Sequence, residues 1–182
     1  SPATASVRIT DGNGVPLEAL SASLPADGPP AFHYAAGPDL NPTVLRDPYA
    51  PVQDTDLSWA DATLSFLWWP RARVVTTDTL KGRTCTVIDV MPPDSGTPGQ
   101  SARPYERVRL WVDTALSLLL QAEAYDEQEA LVRRLWIRSL KKIDDRSMMK
   151  DMEIQSFPTV HRTTLRIREV RRGLNDDAQP VD

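Results

Sequence analysis

The chain has 182 residues, 41% hydrophobic and 25% charged, with a net charge of −4. That length suits one domain with one substantial core. The acidic balance gives no whole-molecule attraction for nucleic acid, and no apolar run reaches the roughly 18 residues of a membrane-spanning helix.

The charge is uneven: from Leu131 to Arg172 there are 12 Lys or Arg against 5 Asp or Glu, so the C-terminal strands have a basic bias. Cys85 is the single cysteine, which rules out an internal disulfide. Ser1 opens a polar segment without the charged and apolar blocks of a leader. The chain is therefore read as cytosolic, or as the mature form of an exported protein.

Proline divides the sequence, since 14 of 16 lie at or before Pro104. The first part is read as short elements joined by rigid turns, the rest as paired strands, which proline avoids. Residues 5–10 and 31–34 read as short strands, and 35–57 as a long loop. Ser58-Trp59-Ala60-Asp61 fits a capping box, in which Ser58 and Asp61 each satisfy an orphan N–H. Leu64, Leu67 and Trp68 then share one face at i, i+3, i+4, and Pro70 stops the helix. A helix this short needs a surface to dock on, so these three side chains are expected to be buried.

From Arg71 the period changes to two. Strands are predicted at 71–79, 83–90, 105–113, 116–125, 130–141, 148–157 and 160–171, with a Pro/Gly/Ser loop at 91–103 and hairpin-length turns elsewhere. Such a series makes a meander, expected as a single antiparallel sheet of at least seven strands. The domain is placed at 1–172, with a flexible tail at 173–182.

The alternation sorts side chains onto two faces. One carries Val108, Leu110, Val112, Leu116, Leu118, Leu120, Ala122, Leu131, Leu135, Ile137, Met148, Met152, Ile154, Leu165 and Ile167. The other carries Arg107, Arg109, Trp111, Gln121, Glu123, Tyr125, Arg134, Trp136, Arg138, Asp151 and Glu153. An apolar face five strands wide cannot stay flat and open. It must curl, take a helical cover, or hold an apolar ligand.

Catalytic chemistry finds no support. His33 and His161 are far apart in sequence, metal-ligand spacing is missing, and no phosphate-binding or nucleophile-elbow motif occurs. No catalytic residue, metal or cofactor is assigned. Trp111 and Trp136 with nearby arginines are read as arginines lying over rings, in preference to a nucleic-acid stacking platform. Two cations interrupt the apolar face: Arg133 between Leu131 and Leu135, and Lys150 between Met148 and Met152. They snorkel to water, or they stand at a cavity mouth to meet an anionic head group or a lid carboxylate.

Several stretches resemble, in order, the bacterial outer-membrane lipoprotein-sorting protein family. They are Thr55-Asp56-Leu57-Ser58-Trp59-Ala60-Asp61 with the Leu64 to Pro70 run, Gly82-Arg83-Thr84-Cys85, Tyr105 to Asp113, and Ala122-Glu123-Ala124-Tyr125-Asp126. Lys142-Ile143-Asp144, Met149 to Glu153 and Arg162-Thr163-Thr164-Leu165 complete the set. The resemblance implies a mainly β fold, a curved antiparallel sheet or incomplete β-barrel with a short helical lid over an apolar cavity. It also implies an exported, periplasmic, non-enzymatic protein that binds acyl chains of lipid or lipoprotein, with an inner-membrane exporter or outer-membrane acceptor as partner. On that reading Leu110, Leu118, Leu120, Leu135, Ile137, Met152 and Ile154 line the cavity. Trp68 sits near its mouth, and Lys150 or Arg133 meets a head group or the lid. The alternative is an interaction module whose half-barrel is filled by its own side chains.

Overall fold

The structure, a computed structural model, describes residues 3–24, 31–45, 47–53, 55–93, 104–143 and 146–166. These form two compact units, one with the described residues up to 45 and one with those from 47 to 166. The predicted strand at 167–171, Ile167, the tail and the Asp144-Asp145 turn lie outside the described residues.

The first unit is a four-stranded antiparallel meander in the order β1 (Ala3–Thr10), β2 (Pro16–Leu24), β3 (Ala31–Ala36), β4 (Asn41–Thr43). Asp11 shapes the β1–β2 turn, its carboxylate accepting from the Asn13 and Val15 amides at 2.9 and 2.8 Å. The single sheet expected from sequence is thus two sheets, and the N-terminal strands pair only among themselves. Strands β2 and β4 were not anticipated. Alanine and serine fill much of β2, and their low strand preference hides it.

The second unit holds a seven-stranded antiparallel sheet. Its strands are β5 (Arg71–Leu80), β6 (Arg83–Met91), β7 (Arg107–Asp113), β8 (Leu118–Tyr125), β9 (Leu131–Ile143), β10 (Arg146–Ser156) and β11 (Arg162–Arg166), and each pairs with the next. Lys81 and Gly82 make the β5–β6 turn with φ of 53° and 76°, the left-handed values a two-residue hairpin requires. The sheet is open and curled. The Lys81 ammonium donates to the Ile137 carbonyl of β9 at 3.4 Å. On a flat sheet β6 and β9 lie about 14 Å apart, beyond a lysine side chain.

A short lid covers the apolar face. The capping box forms as the sequence predicts. Ser58 Oγ accepts from the Asp61 amide at 3.2 Å, and the Asp61 carboxylate accepts from the Ser58 amide at 3.1 Å. The helix it starts, α1, spans only Trp59–Ala62. Leu64 turns left-handed at φ 52°, and a 3-10 turn, Ser65–Trp68, follows. This break rotates the later side chains. Leu64 is buried as expected, but Leu67 and Trp68 are 43% and 47% exposed, and Phe66 is the buried residue, at 3%. The i, i+3, i+4 expectation therefore fails beyond Leu64, because the chain is no longer α-helical there.

The stability cost of lid substitutions should follow burial. Phe66→Ala should cost about 3–5 kcal/mol, the range for a buried phenylalanine, and Leu67→Ala under about 1 kcal/mol. Urea unfolding of both variants checks this, and equal costs would contradict the lid geometry.

Candidate functional site

The site is the apolar face of the seven-stranded sheet and the lid upon it, all within the second unit. Leu110, Leu135, Ile137, Met152 and Ile154 belong to one continuous core with Val90, Val108, Ala122 and Ala124. The lid contributes Leu57, Leu64 and Phe66, and Tyr105 enters from the start of β7. Five of the seven residues expected to line a cavity are thus brought together. They share one cluster of buried side chains with the lid residues, so this part of the interior is packed with the protein's own residues.

Bulges account for the rest. The β7–β8 register shifts between Trp111 and Val112, so Val112 pairs with Leu119, Asp113 pairs with Leu118, and Leu120 is the extra residue. Leu119 therefore packs against the core, which Leu118 does not join, while Leu120 is buried at the bulge outside the continuous cluster. Lys150 is a second extra residue: Met149 pairs with Leu140 and Asp151 with Ser139. Met149 turns to the core and Lys150 is exposed. The cation in the apolar row before Met152 is a register effect, because Lys150 is an inserted residue at a bulge.

Arg133 is different. It pairs with Ala124 on the core side of β9, and its guanidinium forms an ion pair with the Asp61 carboxylate. Their side chains are 20% and 6% exposed. Asp61 also accepts from the Ser58 hydroxyl at 2.6 Å. One carboxylate thus closes the helix cap and ties the lid to the sheet. Of the two cations singled out in the sequence, Arg133 is the one that reaches a lid carboxylate.

Tyr105 lies beneath this pair and was not anticipated. It is 2% exposed, with Tyr49 edge-on at 5.7 Å between ring centroids and Trp69 tilted at 5.9 Å. Its hydroxyl has no hydrogen-bond partner among the described residues. Burial, then the Asp61 charge, pushes the phenol well above its ordinary pKa, with Arg133 opposing. In sequence it reads only as the first residue of the predicted strand 105–113, with no site role assigned.

The opposite face is a ladder of alternating charge. Arg73, Asp89, Arg109, Glu123, Arg134, Gln155 and Arg162 are cross-strand neighbours from β5 to β11. Asp89, 1% exposed, accepts from Arg109 at 2.7 and 3.0 Å and from Arg107 at 3.3 Å. Glu123 accepts from Arg134 at 2.7 Å and from the Tyr125 hydroxyl at 2.5 Å. The guanidinium of Arg134 lies 5.6 Å from the Trp136 ring centroid, and the Trp111 indole donates to Asp78 at 2.9 Å. Trp111 and Trp136 each face Gln121 across the sheet. Trp136 carries an arginine over its ring as the sequence reading expects, whereas Trp111 is engaged by Asp78 instead.

A cavity of about 190 Å3 at the β8–β9 turn, lined by Pro104, Tyr105, Glu106, Asp126, Glu127 and Gln128, is polar and below the roughly 300 Å3 of an ordinary ligand pocket. Cys85 is fully buried, and burial raises its thiol pKa. Among the described residues no group of three or more His, Cys, Asp or Glu is placed to hold a metal, and no helix is long and apolar enough to cross a membrane.

Comparison with known proteins follows this geometry. A family model described as "Uncharacterized protein" matches residues 45–178. A search of curated proteins finds no match. Among solved structures, the chain is similar to a domain from Vibrio parahaemolyticus named for outer membrane lipoprotein sorting, with 19% identity and a TM-score of 0.67 over 87% of this chain and 67% of that one. It is also similar to a DUF1329 family protein from Desulfovibrio piger ATCC 29098, with 18% identity and a TM-score of 0.62 over 88% and 72%. A LolA superfamily protein from Nitrosomonas europaea aligns with 12% identity and a TM-score of 0.55 over 93% and 85%. At these identities the likeness is one of fold alone: a mainly β, unclosed antiparallel architecture like that of the LolA superfamily protein.

Two outcomes are expected from the ion pairs. Asp61→Asn removes the charge opposite the half-buried Arg133 and should destabilise by about 2–4 kcal/mol, as breaking a largely buried pair does; chemical denaturation of the variant measures it. Burial alone would raise the Asp89 pKa, but the Arg109 hydrogen bonds and the charges of Arg107 and Arg109 outweigh it and hold the carboxyl below its ordinary value. A depressed folded pKa stabilises fully above the unfolded value of about 4 and loses that contribution as pH falls through the folded one. Thermal melts across the acid range should therefore fall less steeply for Asp89→Asn than for the wild type.

Proposed function

We propose that this chain, which belongs to the family whose model matches residues 45–178 and has the LolA-like lipoprotein-sorting fold, is a non-enzymatic binding protein for lipid or lipoprotein acyl chains. Its place is the periplasm, in outer-membrane lipoprotein sorting or lipid transport. The observation that supports this most is the cover of the apolar face. Leu57, Leu64 and Phe66 occupy the face where an acyl chain would lie, and they are carried by one turn of helix and one 3-10 turn, with a left-handed residue between. A ligand of the same apolar chemistry replaces these contacts when the lid lifts.

In that open state Leu110, Leu135, Ile137, Met152 and Ile154 line the acyl site, with Leu120 and Leu118 at its flank. Arg133, released from Asp61, meets the polar end of the ligand. Lys150 points to solvent and takes no such part. Trp68, half-exposed on the outer lid, is available to a membrane-bound exporter or acceptor. Each buried methylene of the ligand contributes about 0.8 kcal/mol, so part of a long chain suffices for micromolar binding.

The filled core favours a second reading, an interaction module that never opens and docks an export-complex partner. Fluorescent fatty-acid titration and native mass spectrometry of protein from a diderm host separate the two. The binding protein takes the probe in the micromolar range and carries copurified lipid, and Asp61→Asn binds the probe more tightly, because a looser lid raises the open fraction. Folded wild type and variant that both ignore the probe, with no copurified lipid, would leave the docking module standing.

A further inference from the structure

We infer that the Tyr105 hydroxyl is a recognition donor for the acyl carbonyl, so that the site selects ester- or amide-linked chains over plain alkyl ones. This rests on the acyl-binding reading above and names the chemical handle that such a ligand must carry.

The argument starts from a group that does not belong in a finished core. A buried hydroxyl with no partner is destabilising, and phenylalanine fills the same volume without that penalty. Tyr105 is 2% exposed and its hydroxyl is unbonded. Ring packing does not explain the oxygen, since the edge-on contact with Tyr49 and the tilted contact with Trp69 would be available to a phenylalanine ring as well. Nor does it serve the lid pair. The Asp61 carboxylate takes Ser58 and Arg133, and Tyr105 bonds to neither charged group although both are close enough to act on its ionisation.

Position supplies the second half of the argument. Tyr105 belongs to the same cluster as Leu64 and Phe66 of the lid and Val108 and Leu110 of β7. It stands where the cover meets the sheet, at the polar margin marked by Asp61 and Arg133. A ligand that displaces the lid residues lays its hydrocarbon along Leu110, Leu135 and Ile154, and its first polar atom falls at this margin. For an ester or amide that atom is a carbonyl oxygen, an acceptor with no proton to donate. The phenol offers the matching donor, and Arg133 is left for the charge beyond it. An ether or alkane chain presents no comparable acceptor and leaves the hydroxyl unpaired.

The test uses soluble ligands that differ in one group: a lysophospholipid with an ester-linked chain, its ether-linked analogue with the same chain and head group, and an N-palmitoyl peptide. Each displaces the fluorescent fatty acid from wild type and Tyr105→Phe below its micellar concentration. Wild type should prefer the ester over the ether by about three- to tenfold, the worth of one hydrogen bond. Tyr105→Phe should lose that preference, bind the ether unchanged, and melt no lower than wild type. A stronger loss for the peptide than for the ester would point to lipoprotein as the source of the carbonyl, and the reverse to phospholipid. Equal binding of ester and ether by wild type overturns the inference and leaves the acyl-binding reading intact. So does a preference that survives in Tyr105→Phe. If none of the ligands binds, the acyl-binding reading itself falls, and this inference with it.

Discussion

The lid rests on one carboxylate. Asp61 is 6% exposed, and a charge so far from water must be matched by hydrogen bonds and an opposite charge. Ser58 supplies the first through its amide and hydroxyl, and Arg133 supplies the second from the middle of the sheet. Meeting both demands at once fixes where α1 sits. Once that turn stands over β9, Leu57 on one side of the cap and Leu64 and Phe66 on the other reach the apolar face. Pro70 then ends the segment and hands the chain to β5. The same carboxylate thus sets a local fold and a long-range contact, 72 residues apart in sequence.

The two faces of the sheet are built on different interactions. On the charged face Asp89 and Glu123 are each flanked by arginines on both neighbouring strands, so charge pairing helps to set the register of β5 to β9 alongside apolar packing. Isolated surface pairs add little, but a one-residue slip would set buried Asp89 opposite Val108 or Leu110, without its arginine, and would turn the apolar row outward. The frame is therefore strongly specified. The lid has no comparable ladder. It is built of two single-turn elements and held by apolar contacts and the Asp61–Arg133 pair, with a second, exposed pair from Asp56 to His161, and a segment of this build belongs to the low-stability end of a structure.

Much of this frame was legible in the sequence. The period-two run from Arg71 placed β5 to β11 within a few residues, and the Ser58-to-Asp61 spacing gave the capping box. What period counting cannot see is an inserted residue. Bulges at Leu120 and Lys150 shift the alternation, so Leu119 holds the inward place that it gave to Leu118, and Met149 packs against the core. The same blindness made Lys150 look like a buried cation, whereas Arg133 really is on the core side. The left-handed Leu64 did for the lid what the bulges did for the strands: it moved burial from Leu67 and Trp68 to Phe66. Tyr105 escaped for another reason. An unpaired hydroxyl is a statement about its surroundings, and no spacing or composition encodes it.

A filled interior and a binding function are compatible when the filling is the lid itself. Suppose the open form is populated at about 1%. A ligand that binds only that form then appears a hundredfold weaker, equivalent to about 2.7 kcal/mol. At about 0.8 kcal/mol per methylene, roughly four buried CH2 groups offset this. A long acyl chain has several times that number, so lid closure costs it only part of its affinity, while small apolar molecules are excluded. Closure has a second effect: without ligand, Leu110, Ile137 and Ile154 would otherwise present a wide apolar surface to water and to other chains. On the proposed reading, a lid made of the protein's own leucine and phenylalanine side chains serves as a built-in substitute for the ligand. Its anchoring by a few polar contacts, the Asp61–Arg133 pair foremost, in place of an extended helix interface, would then keep the exchange between the two within the few kcal/mol that an acyl chain can supply.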